Sequence, residues 1–192
     1  DHKRAFDHDL GKNTGGMGAV TPGAILTQEQ EKEMYDKIFV PTIQALKLEG
    51  RPFVGVIYFG LMLTKTGPRV IEYNARFGDP EAQAVLPRLE NDLMEIIDAC
   101  LNKTLDKVDF KWKPGASCCV VMASGGYPDT YEKGFEITGI KDCGCLVFHA
   151  GTTLSDGKIL TNGGRVLSVY ADATTLDEAI GLACSGGSKI PF

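Results

Sequence analysis

The chain has 192 residues, of which 43% are hydrophobic and 23% are charged, a composition typical of a globular protein that can bury one core or two small ones. Its net charge of -5, without any basic block, argues against a nucleic-acid partner, and no apolar run approaches the roughly 20 residues that a membrane-spanning helix requires. The six cysteines lack the paired spacing of a zinc site, which favours reduced thiols and a cytoplasmic location.

Four charged residues near the amino terminus form a first candidate substrate site. They are Lys3, Arg4, Asp7 and Asp9. The two cations can bind a phosphate or a carboxylate, and the two carboxylates can bind an amine. Both kinds of group therefore stand within one short segment.

A glycine-rich segment follows and is predicted to be a loop. Its members are Asn13, Thr14, Gly15, Gly16, Met17 and Gly18. Glycines permit positive φ angles and let backbone N–H groups approach a bound anion. The segment is not a Walker A loop, because Met17 stands where the lysine should be, and not a dinucleotide-binding loop, because no strand is predicted before it. Taken alone, the glycines favour a plain surface turn, whereas the neighbouring charges favour a binding site.

A long helical stretch is predicted over Thr27–Glu49. Thr27 and Gln30 have the spacing of a capping box, and Gly50 fits the stop signal of a helix. Pro41 lacks the N–H group that a continuous helix needs at this point, so it must kink the helix or begin a second one.

The segment Val70–Gly78 is predicted to be a strand, because β-branched and aromatic residues dominate it, and Phe53–Thr64 and Arg69–Asn74 are predicted to form a hairpin. Side chains alternate between the faces of a strand, so Glu72, Asn74 and Arg76 are expected to point the same way. The carboxylate and amide oxygens suit Mg²⁺, and the guanidinium can hold an anionic oxygen. Alternation alone favours a solvated strand face, and the surrounding residues favour a metal–phosphate site.

Two further helices are predicted next. Asp79 followed by Pro80 fits a helix cap with proline at the first helical position. The second helix is predicted to open at Asn91 with a row of core-facing residues. They are Leu93, Ile96, Ile97, Cys100 and Leu101.

Residues 106–115 are predicted to be a linker, because charged residues and a Pro-Gly pair replace the apolar pattern. Three strands and a closing helix capped by Thr175 and Glu178 are predicted beyond it. The strands are Ala116–Ala123, Leu146–Thr153 and Arg165–Ala171. The chain is therefore expected to form an α+β half followed by a small strand-rich domain.

Separated segments of the chain carry a consistent set of motifs. They read DHKRAFD (1–7), NTGGMGA (13–19), EYNARFGDPE (72–81), VVMASGGYP (120–128), and FHAGT (148–152) with GGRVL (163–167). In this order they resemble the signatures of the phosphoribosylamine–glycine ligase family within the ATP-grasp superfamily. Three positions beside the glycine-rich segment depart from the family pattern: His8, Lys12 and Val20.

The resemblance implies that residues 1–105 are the second half of an ATP-grasp domain and that residues 106–192 are a small, partial barrel-like carboxy-terminal domain. Family members carry further domains upstream, so the chain is expected to be a fragment whose partner is the missing amino-terminal half of its own polypeptide. Such a fragment is expected to be inactive alone. A membrane or nucleic-acid partner is not implied.

The implied reaction is an early step of purine biosynthesis. ATP phosphorylates glycine, and the amine of 5-phosphoribosylamine attacks the acyl phosphate to give glycinamide ribonucleotide. The resemblance assigns Mg²⁺ or Mn²⁺ to Glu72 and Asn74, the acyl phosphate to Arg76 and Asp79, and the two other substrates to the charged and glycine-rich segments. Two alternatives remain open: another ATP-grasp carboxylate–amine ligase or carboxylase, and a non-catalytic anion-binding module.

Overall fold

The computed structural model describes residues 2–23 and 26–192. These residues form two compact units that alternate along the chain. The first unit comprises residues 2–22, Asp79–Leu89 and Trp112–Phe192, and the second comprises the described residues of 23–78 together with Glu90–Lys111. The predicted domain boundary at residues 105 and 106 follows sequence order and stays a prediction.

The described residues form nine β-strands and five α-helices. The strands are β1 (His2–Phe6), β2 (Leu10–Thr21), β3 (Tyr58–Thr64), β4 (Gly67–Asn74), β5 (Ala116–Ala123), β6 (Leu146–His149), β7 (Thr152–Ser155), β8 (Lys158–Thr161) and β9 (Arg165–Ala173). The helices are α1 (Gln28–Met34), α2 (Val40–Leu48), α3 (Glu81–Val85), α4 (Leu93–Leu101) and α5 (Leu176–Gly187).

The first unit is built on a five-stranded antiparallel sheet in the order β1-β2-β5-β9-β6. The sheet is open, so the strand-rich part does not close into a barrel. The single strand predicted over Leu146–Thr153 is two strands: β6 joins this sheet beside β9, and β7 pairs with β8 in a separate hairpin. The molecule is therefore α+β, as predicted.

The core of the first unit centres on β9, whose residues are buried from Val166 to Ala171. α5 packs against β5 and β9, and its Ala179 and Ala183 are fully buried there. Small side chains on this face let the helix approach the sheet closely. The predicted capping box of Thr175 and Glu178 is present at the start of α5.

The glycine-rich segment is a strand, and the prediction of a loop was wrong. It lies within β2, which pairs with β1 on one side and with β5 on the other, and β1 is the preceding strand that the sequence did not predict. Glycine disfavours strands only weakly, so backbone pairing with β1, and with β5 from Gly18 onward, outweighs that preference. Register shifts in the β1–β2 pair absorb the irregular geometry of the segment.

The second unit contains the β3–β4 hairpin and the α1–α2 helical stretch. The predicted capping box of Thr27 and Gln30 is present. Ahead of Pro41 the helix widens into a π-helical turn over Tyr35–Phe39, in which the Val40 N–H donates to the Tyr35 carbonyl. The widened turn accommodates the proline without ending the helical stretch.

Two predicted helix starts are corrected. α3 begins at Glu81, and its N-cap is Pro80, not the predicted Asp79. α4 is capped by Asp92, one residue beyond the predicted Asn91. Its apolar row is only partly covered, since Ile97 is 39% and Leu101 64% exposed.

In the part of the chain that the structure describes, no helix is long and apolar enough to cross a membrane.

Candidate functional site

The candidate metal strand, β4, ends at Asn74. Glu72 and Asn74 therefore share one face, as predicted, whereas Arg76 lies in the following bend and its Nη1 donates to the Phe77 carbonyl at 2.8 Å. The prediction that Arg76 extends the same row of the strand was wrong. The chain turns because the segment after Asn74 has no strand partner in the described hairpin.

The polar face of β4 is the more covered one. Glu72 and Asn74 are half-buried, whereas Ile71 is 58% and Tyr73 51% exposed. A plain solvated strand face would have the opposite pattern, with the apolar side chains covered. Alternation alone favoured a solvated strand face, whereas this burial pattern favours the metal–phosphate interpretation.

A glycine in the partner strand makes room for Glu72. Gly60 of β3 is paired with Glu72, and a Cβ atom at Gly60 would lie 2.7 Å from the Glu72 Cγ and 3.3 Å from its Oε1. The Glu72 side chain thus lies across β3 above a residue without a side chain. Sequence reasoning missed Gly60, although an isolated glycine inside an apolar strand often marks a close approach.

The opposite face of the hairpin is anchored by aromatic rings. Phe59 and Tyr73 meet edge to face with centroids 5.4 Å apart, and Phe39 from the π-helical turn lies 4.6 Å from Phe59. Such pairs stabilise a hairpin by about 0.5–1.5 kcal/mol beyond the area that they bury. The hairpin is therefore held to the helical stretch through the face that does not carry Glu72.

The charged amino-terminal residues line a polar cleft of about 540 Å³ in the first unit. Its lining residues are His2, Lys3, Arg4, Ala5, Phe6, Asp7, His8, Asp9, Met17, Val120 and Val121. The structure thus brings together five of the ten predicted substrate residues. Asn13, Thr14, Gly15, Gly16 and Gly18 do not line this cleft.

The tip of the β1–β2 hairpin shapes one end of the cleft. His8 and Asp9 both have φ near 58°, a conformation in which glycine is the usual residue. Arg4 Nη1 donates to the Gly11 carbonyl at 2.6 Å, and its Nε lies 3.9 Å from the Asp9 carboxylate. Lys12, the other departure from the family pattern at this tip, forms an ion pair with Asp129.

Two of the glycine N–H groups predicted to bind an anion already have protein acceptors. The Gly15 N–H donates to the Tyr127 hydroxyl at 3.1 Å, and the Gly16 N–H donates to Thr14 Oγ1 at 3.0 Å. The Thr14 hydroxyl in turn donates to the Lys3 carbonyl at 2.8 Å. The glycine-rich segment therefore supports the wall of the cleft through hydrogen bonds within the protein.

Asp79 accepts hydrogen bonds through its carboxylate. Oδ1 accepts from Arg165 Nη1 at 3.2 Å and from Gln83 Nε2 at 3.1 Å. Arg165 also donates to the carbonyls of Gly15 and Gly16. Sequence reasoning included Arg165 in a family motif but gave it no role.

Buried thiols supply no nucleophile. Burial raises the pKa of Cys119 to about 12 and that of Cys118 to about 11. Thiols with such pKa values stay protonated at neutral pH.

Among the described residues, no three His, Cys, Asp or Glu side chains cluster closely enough to hold a metal ion. Glu72 and Asn74 can therefore supply only part of a coordination shell, which suits Mg²⁺ bound mainly by phosphate oxygens and water.

Two sequence profiles of one protein family match the chain. The ATP-grasp (A) domain of phosphoribosylglycinamide synthetase matches residues 1–82, and the C domain of the same enzyme matches residues 117–192. The two matches follow each other in order and leave only a short central stretch unmatched.

Individual proteins agree with the profiles. The chain is 46% identical over 193 residues to phosphoribosylamine–glycine ligase of Caldanaerobacter subterraneus, with all of this chain and 46% of that protein covered. It is 50% identical over 194 residues to a bifunctional purine biosynthetic protein of Schizosaccharomyces pombe, of which it covers 25%. The chain thus spans half or less of the length of these relatives.

A solved structure has the same fold. The crystal structure of phosphoribosylamine–glycine ligase from Thermotoga maritima superposes with a TM-score of 0.85 at 36% identity, covering all of this chain and 48% of that one. N5-carboxyaminoimidazole ribonucleotide synthetase from the same organism, at 16% identity and a TM-score of 0.57, shares the fold alone.

Proposed function

Because the chain belongs to the phosphoribosylglycinamide synthetase family, we propose that it contributes to the ATP-dependent ligation of glycine to 5-phosphoribosylamine, which gives glycinamide ribonucleotide, ADP and phosphate. The observation that carries the proposal is the ordered match of both family domains along one chain. The half-buried polar face of β4 and the charged cleft of the first unit support it.

The ligation needs positioning and charge neutralisation rather than a protein nucleophile. Glu72 and Asn74 would hold Mg²⁺ or Mn²⁺ on the phosphates of ATP, and the ion would offset the charge that develops there during transfer. Glu72 supplies the charge and Asn74 a neutral oxygen. Arg76, exposed in the bend after the strand, would place its guanidinium beside the acyl phosphate.

Asp79 has a different part in the proposal, because its carboxylate already accepts from Arg165. A carboxylate beside an acyl phosphate would repel it, so an engaged Asp79 serves to fix the turn rather than to bind the phosphate. Of the two residues that the family resemblance assigns to the acyl phosphate, Arg76 alone would therefore stabilise its negative charge.

The cleft of the first unit would hold 5-phosphoribosylamine. Its volume lies within the roughly 300–1,000 Å³ usual for small-molecule sites. Lys3 and Arg4 would bind the phosphate, and Asp7 and Asp9 the amine, in agreement with the charges that line the cleft. The residues Asn13, Thr14, Gly15, Gly16, Met17 and Gly18 would shape the wall of this site and of the glycine site.

The decisive experiment measures ADP release by the complete polypeptide that contains these 192 residues. Turnover that requires both glycine and 5-phosphoribosylamine, with glycinamide ribonucleotide identified by mass, is the expected result. Turnover with bicarbonate in place of glycine would instead favour a carboxylase. The 192 residues alone, which span about half of a bacterial relative, are expected to give no turnover, and turnover within tenfold of the complete polypeptide would contradict that expectation.

A further inference from the structure

Arg165 holds together two segments that are far apart in the chain. Its Nη1 lies 3.1 Å from the Gly15 carbonyl and 3.4 Å from the Gly16 carbonyl, both in β2. The same nitrogen lies 3.0 Å from the Asp79 carbonyl and 3.2 Å from the Asp79 carboxylate. Because one nitrogen with two protons faces four oxygens, these hydrogen bonds are shared among the acceptors.

The base of this side chain is rigid. Arg165 is the first residue of β9, and the two residues that follow it, Val166 and Leu167, are fully buried. Its side chain is 24% exposed, whereas that of Asp79 is 48% exposed. A partly covered guanidinium on a fixed strand can hold a more exposed carboxylate in place, and the charge makes each hydrogen bond stronger than a neutral one.

A glycine is needed at position 15 because a larger side chain would collide with Arg165, and not because the backbone there has a positive φ angle. A Cβ atom there would lie 2.9 Å from the Arg165 Cζ, 3.0 Å from Nη2 and 3.1 Å from Nε. Gly15 is absent from the glycines with positive φ, whereas the adjacent Gly16 has φ of 122°. The guanidinium therefore lies flat against β2 where a side chain is missing.

We propose that Arg165 is a positioning residue that fixes the Asp79 turn against Gly15 and Gly16 of β2. The inference rests on the proposed function, because it gives Arg165 the task of holding the wall of the phosphoribosylamine site in register with the Asp79 turn. Arg165 acts through these two segments.

The first test replaces the guanidinium. In the complete polypeptide, Arg165→Ala should lower kcat/KM for 5-phosphoribosylamine at least tenfold and change KM for ATP less than twofold. Millimolar guanidinium should restore part of the loss in Arg165→Ala, because the binding place for the planar cation remains. Arg165→Lys should not regain the wild-type value, since the lysine side chain is one bond shorter and its nitrogen does not reach the position of Nη1.

The second test adds a side chain at Gly15, where the Arg165 guanidinium lies against β2. Gly15→Ala should cause the same selective loss, because its Cβ displaces the guanidinium. The double variant Arg165→Ala with Gly15→Ala should be no worse than either single variant, since both remove one interaction. Gly181→Ala is the matched control, because a Cβ there has no neighbour within 4 Å. Additive losses, or wild-type kinetics in both Arg165 variants, would overturn the inference.

Hydrogen exchange separates this inference from the proposed function. The amides of Gly15 and Gly16 should exchange at least tenfold faster in Arg165→Ala than in the wild type, and at the wild-type rate in Gly181→Ala. Thermal unfolding of each variant shows whether the fold is retained. If the amides exchange at the wild-type rate in folded Arg165→Ala, Arg165 does not fix this segment, whether or not the polypeptide is a ligase.

Discussion

Glu72 combines a formal charge, partial burial and a glycine beneath its side chain. The carboxylate is thus held on one face of β4 with the Asn74 amide. Of the two oxygen donors, the charged one contributes more to binding a divalent cation. The metal proposal therefore depends first on Glu72.

Glu72→Gln is expected to lower turnover of the complete polypeptide by at least about 10²-fold at saturating Mg²⁺, because electrostatic contributions of this kind are worth several kcal/mol. Asn74→Ala should lower turnover less, since it removes a neutral ligand. Steady-state kinetics at several Mg²⁺ concentrations measure both. Glu49→Gln, on an exposed helix end, is the matched control. Near-normal turnover in Glu72→Gln would refute the assignment.

Gly60→Ala is expected to displace the Glu72 side chain, because the new Cβ would lie 2.7 Å from Glu72 Cγ. The Mg²⁺ concentration required for half-maximal turnover should rise although both proposed ligands are retained. The matched control is Gly125→Ala, where an added Cβ has no neighbour within 4 Å. A Gly60→Ala variant with the wild-type Mg²⁺ requirement would show that Glu72 is not held over Gly60.

At the scale of elements, α5 shows how a short local pattern fixes a helix end. Thr175 Oγ1 accepts from the Glu178 N–H at 3.3 Å, and the Glu178 carboxylate accepts from the Thr175 N–H at 3.2 Å. The helix then buries Ala179 and Ala183 against the sheet of the first unit. The cap therefore stabilises an element on which the core of this unit depends.

Thr175→Ala is expected to lower the free energy of unfolding by about 1 kcal/mol, the usual cost of losing a threonine N-cap. Thr175→Ser should retain most of the stability, because the hydroxyl remains. Chemical denaturation followed by circular dichroism measures the change. The adjacent Thr174 is exposed, so Thr174→Ala serves as the control. Equal losses at both positions would argue against the cap as the cause.

At the scale of the whole molecule, three side chains with raised pKa values lie on the central strand pair β5–β9. Cys118 and Cys119 belong to β5, and Cys119 is paired with Tyr170 of β9. Burial and then the Asp172 carboxylate raise the pKa of Tyr170 to about 12. Burial likewise raises the pKa of Cys119 to about 12 and that of Cys118 to about 11.

Alkaline pH is therefore expected to unfold the first unit. A pKa raised by folding means that the unfolded chain loses these protons first, so their contribution to stability is complete below about pH 9 and is lost as pH rises toward 12. The free energy of unfolding, measured by denaturation between pH 7 and 12, should fall over that window. Cys119→Ala should flatten the decline, and exposed Cys184→Ala should not. An unchanged slope in Cys119→Ala would contradict the assignment.

The sequence by itself determined the elements whose cause is local. Thr27 and Thr175 cap helices because their partners lie three residues away, and Ala116–Ala123 forms a strand with the predicted bounds. The shared face of Glu72 and Asn74 followed from strand alternation alone. Motif order likewise indicated the family.

The tertiary structure decided what depends on distant partners. The glycine-rich segment became part of a strand because β1 pairs with it at Asn13 and Gly18 and β5 pairs with it at Gly18, and Arg165 reaches Gly15 across 150 residues of sequence. The Asp79 carboxylate accepts from that same guanidinium, and the place of Glu72 depends on Gly60 in the facing strand. Capping and alternation act within a few residues, whereas strand pairing and close side-chain approach exist only after the chain has folded.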